Sequence, residues 1–145
     1  MSNNNEPLIQ VNHLKQYFDI NMGFFKSKAL KAVDDISFSI REGETLGLVG
    51  ESGCGKTTAG RSILHLYKPT AGEVIYRGKK IETPQDIKEF RKHATMVFQD
   101  PYSSLDPRMT VEDIIGEPLD IHKMYASKSD RREKILSLMD HVGLN

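Results

Sequence analysis

The sequence has no excess of charge, a single cysteine and no long apolar run, and each of these features excludes a class of protein. Its 20 lysines and arginines balance 20 aspartates and glutamates. No surplus cations exist to replace phosphate counterions, so a nucleic-acid-binding protein is a poor hypothesis. A lone Cys54 cannot form an internal disulfide and argues against a structural zinc site.

No apolar run approaches the ~20 residues that a membrane-spanning helix needs, so the chain is expected not to cross a bilayer. The opening residues 1–7 contain neither a basic nor an apolar stretch, and they are expected to form a flexible tail rather than a secretory signal. Together with the single cysteine, this predicts a protein of the reducing cytosol.

The rest of the sequence has the patterns of an α/β protein. Alternating or continuous apolar residues predict strands, and a basic, turn-like stretch is expected at 26–31. Capping residues predict helices that begin after Thr83, Thr110 and Ser127, and another helix is predicted from Lys56 to about Leu66. The predicted strands cover residues 8–11, 36–40, 45–49, 73–76 and 95–98.

A complete G-x-x-x-x-G-K-[ST] motif lies at residues 50–57, between a predicted strand and a predicted helix. Glycines let such a loop approach phosphates closely, and the helix N-terminus directs N–H groups at them. The lysine supplies charge to the β- and γ-phosphates, and the threonine hydroxyl suits Mg²⁺. The candidate phosphate-binding residues are Gly50, Glu51, Ser52, Gly53, Cys54, Gly55, Lys56, Thr57 and Thr58.

This motif alone leaves kinases, GTPases and transport or motor ATPases open. A GTPase is disfavoured because no N-K-x-D occurs. The D-x-x-G at 113–116 follows a helix-capping threonine, which indicates the first turns of a helix rather than a switch segment. Asp100 could be mistaken for the Mg²⁺-binding acid at the end of an apolar strand, but the polar Gln99 interrupts that run.

Several segments together resemble the ATP-binding subunits of ABC transporters. Residues 30–38 and 43–50 resemble the approach to that family's P-loop, and residues 97–100 resemble its Q-loop. The block from Phe98 to Val111 is similar to the oligopeptide and dipeptide importer branch, and less similar to relatives that handle nickel or glutathione.

The resemblance implies an α/β P-loop NTPase fold with an N-terminal antiparallel β-subdomain, binding ATP and Mg²⁺. It gives catalytic roles to Lys56 and Gln99, with Gln99 contacting Mg²⁺ or the attacking water and Thr57 as a second Mg²⁺ ligand. Phe18, or alternatively Tyr17, occupies the region where the family stacks an aromatic ring on adenine.

The resemblance also implies partners and a location. Residues 101–115 resemble the surface that touches the transporter's membrane subunits, and a second ATP-binding subunit, identical or different, would complete the ATP site. The protein would then be peripheral, at the cytoplasmic face of the membrane. The L-S-G-G-Q signature, the Walker B acid and the switch histidine of the family do not occur.

The chain is therefore expected to be the N-terminal part of such a subunit, coupling ATP to peptide import when intact but binding ATP without hydrolysis by itself. Two alternatives stay open. One is a truncated, non-catalytic nucleotide-binding module, and the other is a different P-loop enzyme such as a small-molecule kinase.

Overall fold

A computed structural model describes residues 6–21, 27–100 and 104–144. They form two compact units, which divide between Met96 and Val97. The first five residues of the predicted tail lie outside the described residues. No helix in the described ranges combines the length and apolarity needed to span a membrane.

The first unit is built on a four-stranded sheet in which every neighbouring pair is antiparallel, in the order β2-β1-β3-β4. Its strands are β1 (Ile9–Asn21), β2 (Ser27–Ile40), β3 (Ala71–Tyr76) and β4 (Lys79–Lys80). Two helices belong to the same unit, α1 (Lys56–Ile63) and α2 (Pro84–Phe90). This arrangement agrees with the antiparallel subdomain that the sequence predicted.

The core of this unit lies between the sheet and α1. Val11, Leu14 and Val74 have no exposed surface and pack together. Ile63, from the last turn of α1, packs against this cluster, so the helix that follows the glycine-rich loop is fixed to the sheet. Burial of such side chains contributes about 1.5–3 kcal/mol each.

The β1–β2 ladder is interrupted by extra residues, which bend strands locally. His13 and Asp35 stand at two of the irregularities with positive φ angles of 50° and 64°, and their side chains are 2.7 Å apart at Nδ1 and Oδ1. At the third, Gln16 pairs with Val33 while Tyr17 pairs with Lys31, so Ala32 has no partner on β1. The β2 backbone bulges at this point.

The second unit contains α3 (Val111–His122) and α4 (Lys128–His141). Arg131 of α4 donates two 2.8 Å hydrogen bonds to the carboxylate of Asp120 on α3. A Cβ at Gly116 would lie 2.0 Å from this guanidinium, so the glycine gives the arginine room to cross α3. Leu119 and Ile135 are the buried apolar residues of the two helices.

The three predicted helix starts are confirmed. Thr83, Thr110 and Ser127 are N-caps whose hydroxyls accept hydrogen bonds from backbone N–H groups three residues later. Helix caps can be predicted from sequence because they depend only on a few neighbouring residues. The D-x-x-G at 113–116 accordingly lies within α3, as expected.

Three strand or turn predictions are wrong. Residues 45–49 and 95–98 form no strand, and Val49 and Val97 are each 92% exposed. A strand exists only through its ladder partners, and the described residues place no partner beside either segment. Of the turn-like stretch predicted at 26–31, residues 27–31 belong to β2, because the hairpin continues and they pair with the end of β1. Residue 26 lies outside the described residues.

Candidate nucleotide-binding site

Helix α1 begins directly after the glycine-rich loop, and its N-terminus differs from those of the other helices. Its N-cap is Gly55, at φ 97°, and no described side chain caps its first N–H groups. The first turn also carries no acidic residue, whereas the other three helices have both a capping side chain and an acid there. The N–H groups and the positive end of the helix dipole are therefore available to an anion.

The ammonium group of Lys56 lies inside the curve of this loop. Its Nζ donates hydrogen bonds to the carbonyl oxygens of Gly50, at 2.7 Å, and Glu51, at 2.6 Å, and lies 3.5 Å from the sulfur of Cys54. The loop thus holds one positive charge beside the uncapped helix end. Both features favour a phosphate group at the same place.

Two glycines of the loop lie close to neighbouring atoms, and at Gly55 the neighbour is backbone. A Cβ on Gly55 would lie 2.1 Å from the carbonyl oxygen of Ala32, the residue at the β2 bulge. A Cβ on Gly50 would lie 2.6 Å from the sulfur of Cys54. The bulge therefore brings the backbone of β2 against the loop, and only glycine fits at that contact.

A cleft of about 310 Å³ lies between this loop and β2. Lys31 and Asp34 of β2 line one side, and Cys54 and Lys56 line the other. Leu48, 50% exposed, adds an apolar wall. A pocket with apolar walls and a few converging polar groups is typical of a small-molecule site.

Tyr17 and Phe18 have different surroundings. The hydroxyl of Tyr17 donates a hydrogen bond to Asp34, which lines the cleft, and Lys31 lies 5.2 Å from the centre of the Tyr17 ring. This hydrogen bond raises the pKa of Tyr17 and, with the ammonium of Lys31, lowers that of Asp34. Phe18 instead packs edge-on against Tyr67, with ring centres 5.4 Å apart.

Gln99 is exposed and belongs to the second unit, whereas the glycine-rich loop belongs to the first. Its role toward Mg²⁺ or water stays a prediction. Residues 101–103 of the predicted membrane-subunit surface lie outside the described residues. Within the described ranges, no cluster of three or more His, Cys, Asp or Glu side chains could hold a metal.

The sequence did not indicate that β2 forms a wall of this cleft. Ala32 and Asp34 lie within residues 30–38, which resemble the approach to the P-loop, but no motif marks them. Their position depends on the bulge, which is set by pairing between distant residues rather than by local spacing.

Comparison with known proteins shows the family to which the chain belongs. The family model described as "ABC transporter" matches residues 33–145. An oligopeptide transport ATP-binding protein, OppF of Bacillus subtilis, is 51% identical over 143 residues, which are 97% of this chain and 45% of that protein. A dipeptide transport ATP-binding protein, DppF of Escherichia coli, is 45% identical over 96% of this chain and 42% of that protein.

The fold also matches solved structures. The ATP-binding cassette MJ0796, in a dimeric post-hydrolysis state bound to ADP and Pi, superposes with a TM-score of 0.74. It is 24% identical, and the match covers 94% of this chain and 58% of that one. The chain spans about half the length of the curated relatives that it matches.

Proposed function

This chain belongs to the ABC transporter family, and we propose that it forms the nucleotide-binding part of a subunit that powers the import of oligopeptides or dipeptides. The observation that carries the proposal is the uncapped N-terminus of α1 behind a glycine loop that holds the ammonium of Lys56. Family membership favours this function over that of a small-molecule kinase. The similarity to an oligopeptide and a dipeptide transport ATP-binding protein supports peptides as the cargo.

The triphosphate of ATP would lie across the start of α1. The loop N–H groups and Lys56 would bind its β- and γ-phosphates, and Thr58 would offer a further N–H from the first turn. Mg²⁺ fits here because Thr57 is exposed at the second position of α1, where its hydroxyl oxygen can serve as a hard ligand. When bound, the ion would neutralise the charge that develops on the phosphates.

The base would stack on Tyr17 in preference to Phe18. Tyr17 is bonded to a side chain that lines the cleft, whereas the Phe18 ring is engaged with Tyr67. Stacking of a base on an aromatic ring contributes about 1–3 kcal/mol. Of the two aromatic residues that the sequence suggested, the neighbours of Tyr17 therefore support its role better.

The remaining roles follow from the family. Gln99 would contact Mg²⁺ or the attacking water, and residues 101–115 would touch membrane subunits. A second ATP-binding subunit would close over the nucleotide, and the assembly would lie at the cytoplasmic face of the membrane. The dimeric cassette among the structural neighbours supports such pairing.

This chain should bind ATP without hydrolysing it. Phosphoryl transfer depends almost entirely on positioning and electrostatic stabilisation, and the sequence contains no L-S-G-G-Q segment to complete the site. The 145-residue chain should thus bind Mg·ATP without releasing phosphate, whereas the intact subunit would be an ATPase.

The test compares Lys56→Ala with Lys88→Ala, a change at an exposed lysine of α2. Calorimetry should show Lys56→Ala weakening both Mg·ATP and Mg·tripolyphosphate about 10- to 100-fold, the effect of losing charge-assisted hydrogen bonds. Lys88→Ala should bind like the parent chain. Parent-like affinity for Lys56→Ala would refute the proposal, and phosphate release that Lys56→Ala abolishes would refute the separation of binding from hydrolysis.

A further inference from the structure

Gln16 and Ser62 are the only buried polar residues in the described part of the chain, with 5% and 0% of their surface exposed. They are partners, since the Ser62 hydroxyl donates to the Gln16 side-chain oxygen at 3.3 Å. Gln16 precedes Tyr17 on β1, and Ser62 lies on α1, the helix that begins at the phosphate-binding loop. This bond therefore joins the two halves of the proposed nucleotide site.

Thr70 makes a second link to the same stretch of β1. Its N–H donates to the carbonyl oxygen of Lys15 at 2.9 Å, and its hydroxyl oxygen accepts a 2.9 Å hydrogen bond from the N–H of Tyr17. Regular pairing between β1 and β3 ends at Lys15 and Ala71. The Thr70 side chain thus satisfies the Tyr17 N–H where the ladder no longer does.

A third link uses aromatic packing. Arg61 of α1 donates a 3.0 Å hydrogen bond to the Tyr67 hydroxyl, and its guanidinium carbon lies 5.8 Å from the centre of that ring. Tyr67 in turn meets Phe18 edge-on. Phe18 therefore acts as a contact on the helix-facing side, while the adjacent Tyr17 bonds to the cleft residue Asp34.

We propose that Gln16, Ser62 and Thr70 are positioning residues, which hold the Tyr17 ring at a fixed place relative to the phosphate-binding end of α1. The inference rests on the proposed stacking of the base on Tyr17. A base and a triphosphate belong to one ligand, and the covalent linkage between them limits their separation, so a displaced ring stacks less well on the base when the phosphates are bound. Groups held in advance bind with less entropic loss than groups that must be ordered by the ligand.

The test uses the ratio of affinities for Mg·ATP and Mg·tripolyphosphate, measured by calorimetry on the whole chain. Thr70→Val removes the acceptor for the Tyr17 N–H, and Thr70→Ser restores a hydroxyl. If the ring then keeps its binding position in about a third to a tenth of the molecules, ATP binding should weaken about threefold to tenfold in Thr70→Val and in Ser62→Ala. Tripolyphosphate affinity should stay within about twofold, and Thr70→Ser should recover ATP affinity.

A control separates positioning from general stability. Thr83→Ala removes the cap of α2 and should cost about 1 kcal/mol of stability. It should leave the ratio unchanged, because Thr83 bonds to Asp86 and not to β1. Tyr17→Trp provides a second measurement, since the chain has no other tryptophan and stacking should quench its fluorescence. Adding Thr70→Val should weaken that quenching by ATP.

The outcomes distinguish the two proposals. If Tyr17→Ala lowers the ratio but Thr70→Val and Ser62→Ala do not, Tyr17 stacks without needing these residues, and the positioning inference is overturned alone. If Tyr17→Ala leaves the ratio unchanged while Lys56→Ala abolishes binding of both ligands, the base does not lie on Tyr17, and the inference fails with that placement. A lower ratio of ATP to tripolyphosphate affinity in Thr83→Ala would also overturn the positioning inference.

Discussion

Gly55→Ala should be the most damaging single methyl addition in the phosphate-binding loop. Gly55 has φ 97°, and an ideal Cβ there would lie 2.1 Å from the Ala32 carbonyl oxygen and 3.3 Å from its carbon. Ordinary contacts begin near 3.4 Å, so the loop and β2 must separate by about 1 Å. The obstacle is strand backbone, which cannot rotate aside as a flexible side chain would.

Two costs add up in this variant. A left-handed conformation costs a residue with a Cβ about 1–2 kcal/mol, and overpacking costs about 1–3 kcal/mol, so the expected loss of stability is about 2–5 kcal/mol. The N–H groups at the start of α1 would also move away from the cleft wall. ATP affinity should therefore fall together with stability.

Two alanine variants in the same region serve as controls. Gly53 has φ 81° but nothing within 4 Å of a Cβ, so Gly53→Ala should lose only the conformational part, about 1–2 kcal/mol. Gly60 lies inside α1 without positive φ or a close neighbour, and Gly60→Ala should gain up to about 1 kcal/mol from helix propensity. Urea denaturation and calorimetry with Mg·ATP measure both effects. Equal stability of Gly55→Ala and Gly53→Ala would show that the Ala32 contact does not require glycine.

Two further predictions concern the thiol and acid stability. Cys54 is exposed in the loop, and its sulfur lies 3.5 Å from Lys56 Nζ, so maleimide labelling should block nucleotide binding. Mg·ATP at 100 times its Kd should slow this labelling about 100-fold. An unchanged labelling rate would contradict this placement of the nucleotide. Asp86 pairs with Lys79 and accepts hydrogen bonds from Thr83, and these contacts lower its pKa. Its stabilising effect is complete above the unfolded-state pKa near 4 and is lost as pH falls toward the folded-state value, so stability below about pH 4 should fall more steeply in the parent than in Asp86→Asn. If denaturation at a series of pH values shows the parent chain and Asp86→Asn losing stability equally below about pH 4, this role is refuted.

The features that sequence reasoning predicted correctly are those fixed by near neighbours. The caps at Thr83, Thr110 and Ser127 depend on a hydroxyl and an N–H group three residues later. The start of α1 after the glycine loop is equally local. Such features form whenever the right residues are adjacent, so their spacing in the sequence is sufficient evidence.

The features that sequence reasoning missed depend on residues far apart in the chain. The unpaired position of Ala32 follows from pairing between β1 and β2, and its contact with Gly55 joins elements 23 residues apart. Likewise, the buried bond between Gln16 and Ser62 spans 46 residues. A single sequence contains the partners of such contacts but gives no measure of which pairs meet.

The apolar segments at 45–49 and 95–98 were predicted as strands, and this prediction failed because strands also depend on distant partners. Their composition favours strands, and that of 45–49 a strand buried on both faces, yet Val49 and Val97 are almost fully exposed, and no described strand pairs with either segment. Helix α1 can form after the first segment because its hydrogen bonds are internal, whereas a strand needs a neighbour to accept its bonds. The described contacts that hold the phosphate-binding loop and α1 are those of Gly55 against β2 and of Ile63 in the core.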